Sequence, residues 1–155
     1  SIFLFHPVTT LKKEDIIKQC NIMFNVLTKS LKNYVVIFPN NDNFSKIILN
    51  FIKKLKSFKK IKILPSLRFE FYLTLLKNSN FIIGNSSSGI REAPVYGIQT
   101  INLGERQKNR ADNNSIINLK FEERKILNVI NNLKEIKKKK NLFLDVEDQQ
   151  KNSFK

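Results

Sequence analysis

The stretch NFIIGNSSSGIREAP, residues 80–94, decides the fold. An apolar run, Phe81–Ile83, passes into Gly84, Asn85, three serines and Gly89, and Arg91 and Glu92 follow almost at once. A β-branched apolar run that ends in a small polar loop reads as a strand handing over to a helix. Gly84 lets the backbone turn and approach a neighbour closely, and Gly89 frees the helix start. Pro94 comes only about a turn and a half later, so this helix is brief or kinked. Two readings of the loop stay open. It is a serine-capped helix start, or it holds an anion, because the first N–H groups of a helix lack internal partners and point outward with the positive end of the dipole. Ser86 and Ser87 add hydroxyl donors that suit a diphosphate. The loop is neither a Walker A loop, since Ile90 and Arg91 stand where Lys and Ser/Thr are required, nor G-x-G-x-x-G.

Outward from this stretch, short β-branched runs alternate with helical periods. Strands are predicted at Ile2–Phe5, Tyr34–Phe38, Ile61–Leu64, Phe81–Ile83, Thr100–Leu103 and Ser115–Asn118. A helix over 12–31 places Ile16, Cys20, Phe24, Leu27 and Leu31 on one stripe, with Thr10 as N-cap and Glu14 and Asp15 at the positive end of its dipole. A second, over 44–57, aligns Phe44, Ile47, Ile48, Phe51, Ile52 and Leu55. A third covers 69–78, a short one follows the serine loop, and a last one covers 121–137. Repeated βα units of this kind build a parallel sheet covered on both faces, a doubly wound α/β domain. Residues 1–136 form that domain, and 137–155, KKKKNLFLDVEDQQKNSFK, lose periodicity and read as a tail.

The chain of 155 residues suffices for one domain with its own core. Its single cysteine, Cys20, excludes an internal disulfide framework and fits a reducing, cytoplasmic compartment; on an apolar stripe it reads as buried and inert. No apolar run approaches the roughly 20 residues that span a bilayer, so no membrane is expected as partner. The opening SIFLFHP is too short and uncharged for a signal peptide and starts inside a strand, which suggests a piece of a longer protein. The net charge of +15 would ordinarily point to nucleic acid. Here Lys, Asn, Ile and Phe abound together, as A- and T-rich codons would give. The lysine clusters KKLKSFKKIK and KEIKKKK fall on helix ends and faces without interleaved stacking aromatics, so a solvated face is the better reading and no nucleic-acid partner is expected.

In a parallel sheet, ligands gather at the carboxyl ends of the strands. The loops there are HPVTT, PNNDN, PSLR, GNSSSG and GERQKNR, each polar and each able to bind or donate to an anion. Glu92 either accepts hydrogen bonds from a ribose diol or compensates the helix dipole. Arg106 and Arg110 either clamp a phosphate or lie exposed. Asn40 and Asp42 either meet a ligand or form an Asx turn that caps the next helix. His6 is the only histidine, which excludes a histidine cluster for a metal. Its position just beyond a strand and before Pro7 shifts a lone histidine from a structural role toward a functional one. No Ser/His/Asp or Cys–His arrangement emerges.

Taken in order, HPVTT, FPNNDNFSK, GNSSSGIREAP and INLGERQKNR resemble the UDP-N-acetylglucosamine 2-epimerase family. The likeness is to its hydrolysing branch, which releases N-acetylmannosamine or a related sugar for sialic-acid-type biosynthesis. The Asp-Ser-Gly-Gly loop and His-Arg-Arg run of the non-hydrolysing branch are not present. The match runs from residue 2 to about 118, more loosely to about 137. The resemblance implies two Rossmann-like domains facing across a cleft, as in GT-B glycosyltransferases, with this chain resembling the C-terminal one. It implies that Ser86 and Ser87 bind the diphosphate, Glu92 the ribose and the backbone around Leu67 the uracil. Arg106 would reach the phosphate side, Asn40 would line the same pocket, and His6 would be the active-site histidine. It further implies no cofactor, catalytic carboxylates on an N-terminal domain, an isolated chain of little or no activity, and a homo-oligomer for the full-length enzyme. Two rival readings are the nucleotide-binding half of a GT-B glycosyltransferase and a basic, non-catalytic α/β module.

Overall fold

The computed structural model describes residues 1–111 and 113–133. Six parallel strands form one sheet in the order β3-β2-β1-β4-β5-β6. They are β1 (Ile2–Leu4), β2 (Tyr34–Ile37), β3 (Ile61–Leu64), β4 (Phe81–Gly84), β5 (Gln99–Leu103) and β6 (Ile116–Leu119). The helices are α1 (Lys13–Lys29), α2 (Ser45–Lys54), α3 (Phe69–Lys77), α4 (Ser88–Arg91) and α5 (Glu123–Asn132). The chain builds outward from β1 to β3, returns to the centre, and builds the other way from β4. The order therefore reverses between β1 and β4, where the crevice of a doubly wound sheet opens.

The pleat sends alternate side chains of one strand to opposite faces. Phe3 and Phe5 enter a core with Ile16, Met23 and Leu27 of α1, Ile48 and Phe51 of α2, and Ile126 of α5. Ile2 and Leu4 enter another, with Tyr72, Leu75 and Leu76 of α3 and with Ala93 and Ile98. Both faces are thus covered, and central strands such as β4 are buried at every position. Cys20 is buried at 3% exposure, and burial pushes its thiol up to about 12. Among the described residues no helix is long and apolar enough to cross a membrane.

The helix ends differ from the sequence expectations in physically clear ways. Thr10 does not cap α1; it lies in a turn closed by the Leu11 N–H donating to the Val8 carbonyl, and Lys12 occupies the cap with no side-chain bond. Leu31 leaves the apolar stripe because the chain turns left-handed there, at φ 56°, and the side chain is 71% exposed. Met23 and Val26 take the buried places instead. Phe44 is likewise left-handed, at φ 68°, so α2 starts at Ser45, and a 3-10 turn over Leu55–Ser57 completes the expected span. The helix after the serine loop is brief: α4 has 4 residues and gives way to a 3-10 turn, Ala93–Tyr96, whose first positions accept Pro94. The expected extension of the last helix to 137 and the tail 137–155 lie outside the described residues.

Candidate functional site

The site begins where β1 and β4 run side by side. Leu4 pairs with Gly84, and a Cβ on Gly84 would fall 2.0 Å from the Leu4 carbonyl oxygen, at φ 140°. Only glycine lets the two strand ends close up. At Gly89 a Cβ would meet the Thr100 methyl at 2.7 Å, so the second glycine serves close packing of α4 on β5. The Thr100 hydroxyl donates to the Gly89 carbonyl and fastens that contact.

The serine loop then divides its work. Ser88 turns inward and hydrogen-bonds the Tyr72 hydroxyl of α3. The Ser86 hydroxyl oxygen accepts the Ser88 N–H at 3.3 Å and keeps its own proton to donate. Ser87 makes no side-chain bond among the described residues. The N–H groups of Gly89, Ile90 and Arg91 donate to the carbonyls of Ser86 and Ser87, so they are not the outward-pointing donors expected from sequence. The N–H groups of Ser86 and Ser87 have no protein partner among the described residues and remain available to a ligand.

A hollow of about 490 Å³ opens beyond the carboxyl ends of β1 to β4. His6, Asn40, Leu67, Ser86, Ser87 and Glu92 all line it, together with Phe69 and Tyr72 of α3. Six of the seven residues to which the resemblance gives a site role, all but Arg106, thus line one cavity. Ser86 and Ser87 offer donors to an anion, Glu92 offers an acceptor, and Phe69, 61% exposed, offers aromatic surface. Burial, first, and the Coulombic repulsion of Arg106, second, lower the His6 pKa to about 4 against the partial opposition of Asp42. The imidazole is therefore neutral at neutral pH. Its Nδ1 accepts the Asn40 N–H at 3.1 Å, which leaves the ring proton on Nε2. Through this bond the Asn40 backbone fixes the histidine ring, and no side-chain cap forms on α2.

Arg106 is not among the residues that line this hollow. Its Nη1 donates to the Asn85 carbonyl at 3.0 Å, and its side chain lines a neighbouring hollow of about 610 Å³ with Thr9, Thr10, Asp42 and Arg110. The carbonyl of buried Asn85, just past β4, thus holds the guanidinium. Sequence reading also passed over Asn85, Tyr72 and Phe69. Asn85 stood in the quoted loop immediately after the strand, the position where the chain enters the crevice, and that was the available signal. Tyr72 and Phe69 read as ordinary members of an apolar helix.

The sequence matches the family described as UDP-N-acetylglucosamine 2-epimerase over residues 1–151. A protein named UDP-N-acetylglucosamine 2-epimerase from Neisseria meningitidis is 44% identical over 130 residues, covering 83% of this chain and 34% of its own length. The polysialic acid biosynthesis protein P7 of Escherichia coli is 35% identical, with 84% and 34% covered. A GDP/UDP-N,N'-diacetylbacillosamine 2-epimerase (hydrolyzing) from Campylobacter jejuni is 34% identical, with 75% and 31% covered. The chain spans about a third of the length of these relatives. The fold is shared with a UDP-GlcNAc 2-epimerase from Methanocaldococcus jannaschii, solved also in complex with UDP-GlcNAc and UDP. The two structures superpose with TM-scores of 0.68 and 0.66 at 20% and 22% identity, covering 90% of this chain and 40% and 39% of theirs.

Proposed function

The chain belongs to the UDP-N-acetylglucosamine 2-epimerase family, and on that premise we propose that it supplies the UDP-binding half of a hydrolysing enzyme. The substrate is UDP-N-acetylglucosamine or a related UDP-amino sugar, and the products are UDP and a sugar of the N-acetylmannosamine type. The observation that carries this reading is the hollow shared by His6, Asn40, Leu67, Ser86, Ser87 and Glu92. In it the hydroxyls and free N–H groups of Ser86 and Ser87 hold the diphosphate, Glu92 receives the ribose diol, and the wall at Leu67 meets the uracil. His6 stands where the sugar side of the nucleotide enters.

The chemistry follows from what leaves. When the C1–O bond breaks and C2 loses its proton, UDP departs as an anion and an unsaturated 2-acetamido sugar remains. Fixed donors aimed at the diphosphate stabilise the charge that develops in that step. Water then adds OH at C1 and H at C2, on the face that inverts C2. The proton transfers at C2 need acid and base groups poised by their surroundings. We assign those to carboxylates of an N-terminal domain, consistent with the share of each relative's length that this chain spans. The hydrolysing assignment rests on the missing Asp-Ser-Gly-Gly and His-Arg-Arg runs and on the resemblance to relatives whose names include that activity. We place the full-length enzyme in the cytoplasm as a homo-oligomer. The test is to incubate a protein comprising this chain and its N-terminal domain with UDP-N-acetylglucosamine and no acceptor. Free UDP and the 2-epimeric free sugar in equal amounts are expected. An epimerised sugar still attached to UDP, or no reaction until an acceptor is added, would contradict the proposal.

A further inference from the structure

Asn85 is fully buried and has every polar group of its side chain and backbone engaged. Its Oδ1 accepts the His6 N–H at 2.7 Å, and its Nδ2 donates to the His6 carbonyl at 2.8 Å, so one amide clasps both backbone groups of one residue. Its own N–H donates to the Leu4 carbonyl at 3.3 Å. Its carbonyl accepts from Arg106 at 3.0 Å and from Gln107, itself 2% exposed, at 3.2 Å. Three loops, after β1, β4 and β5, are thereby tied at one residue, and the loop after β2 joins through the Asn40 N–H on His6 Nδ1. A clasp of this size exceeds what closing a parallel sheet needs, because β1 and β4 already pair in register as far as Leu4 and Gly84.

We propose that Asn85 is a positioning residue for His6, locking the backbone from which the imidazole projects, with Nδ1 held on the Asn40 N–H and the Nε2–H presented to the ligand. An amide suits this task where a carboxylate does not. It both donates and accepts, and it adds no charge beside the ring. The charged groups that face His6 are Arg106 from the β5 loop, which disfavours imidazolium, and Asp42 from the β2 loop, which favours it. A neutral residue at position 85 leaves Arg106 the stronger of these two. The inference rests on the functional reading only in giving the Nε2–H a ligand to meet.

Because His6 is the only histidine, its imidazole signals can be read without assignment, and no nucleotide is needed. Nitrogen and proton NMR of this chain should show the Nε2–H tautomer at pH 7 and a titration midpoint near 4. Asn85→Asp cannot donate to the His6 carbonyl and brings a negative charge, so the midpoint should rise by about one pH unit or more and the tautomers should mix. Gln107→Ala loosens the clasp from outside without touching His6. It should speed exchange of the His6 amide proton by about threefold or more, and it decides the matter alone if the aspartate variant fails to fold. Folded variants with the wild-type midpoint, tautomer and amide exchange would overturn the proposal. If UDP still binds such variants normally, the functional reading survives that failure.

Discussion

Gly84 and His6 carry the most consequence per atom. At Gly84 the φ of 140° and the Leu4 carbonyl 2.0 Å from a would-be Cβ leave no room for a side chain. Gly84→Ala should lower unfolding free energy in urea by about 1–3 kcal/mol for backbone strain alone, with the collision against Leu4 added to that. An alanine variant as stable as the parent would mean that β1 and β4 do not meet as described. His6 links the site to pH. Its folded pKa, about 4, lies below the ordinary 6.5, so between these values the unfolded chain binds the extra proton and the folded chain does not. Stability should therefore fall as pH drops from 6.5 toward 4. The loss should reach up to about 3 kcal/mol, because each tenfold difference in proton affinity between the folded and unfolded chain is worth about 1.4 kcal/mol. Replacing His6 by Gln should remove that part of the slope in a series of denaturation curves. An unchanged slope would place the imidazole in solvent.

At the scale of elements, burial and exposure separate what matters on α1. Ile16 is fully buried against the sheet, and Ile16→Ala should cost about 2–5 kcal/mol of stability. Glu123 of α5 meets Lys29 at 2.6 Å and Asn25 at 2.8 Å across the same helix pair, with its side chain 30% exposed. Glu123→Gln should cost under about 1 kcal/mol, since solvent screens such a pair. Parallel urea titrations of the two variants check this; equal losses would contradict the packing described. The same contrast explains what the sequence disclosed. β-branched runs and 3.6-residue apolar stripes state which side of an element is buried, and so all six strands and the doubly wound arrangement were legible. Leu31 and Phe44 extended their stripes in composition, yet each sits at a left-handed backbone position where the chain changes direction. Thr10 had the right chemistry for a cap but stands two residues ahead of the cap position, Lys12. Ser86, Ser87 and Glu92 could be picked out as lining positions because polar residues just beyond a parallel strand face the crevice. The clasp at Asn85 and the bond from Arg106 to its carbonyl were not legible, because their partners are the Leu4, His6 and Asn85 backbones brought near only by the completed sheet.

For the whole molecule, the charge of +15 and the hollow at the sheet's switch point compete to explain what binds. Binding by diffuse positive charge accepts any polyanion and falls steeply with salt. Binding in the hollow, as proposed, would select the base at one end and the diphosphate at the other, with a shallower dependence on salt. Thermal denaturation of this chain with UDP, UMP, ADP and a short oligonucleotide at two salt concentrations separates the two. UDP should raise Tm most, and UMP and ADP less. The double variant Ser86→Ala, Ser87→Ala should weaken UDP by about 1–3 kcal/mol through the loss of two hydrogen bonds to a charged group. A larger rise with ADP or the oligonucleotide than with UDP, or a serine-free loop that binds UDP as tightly as the parent, would contradict the account.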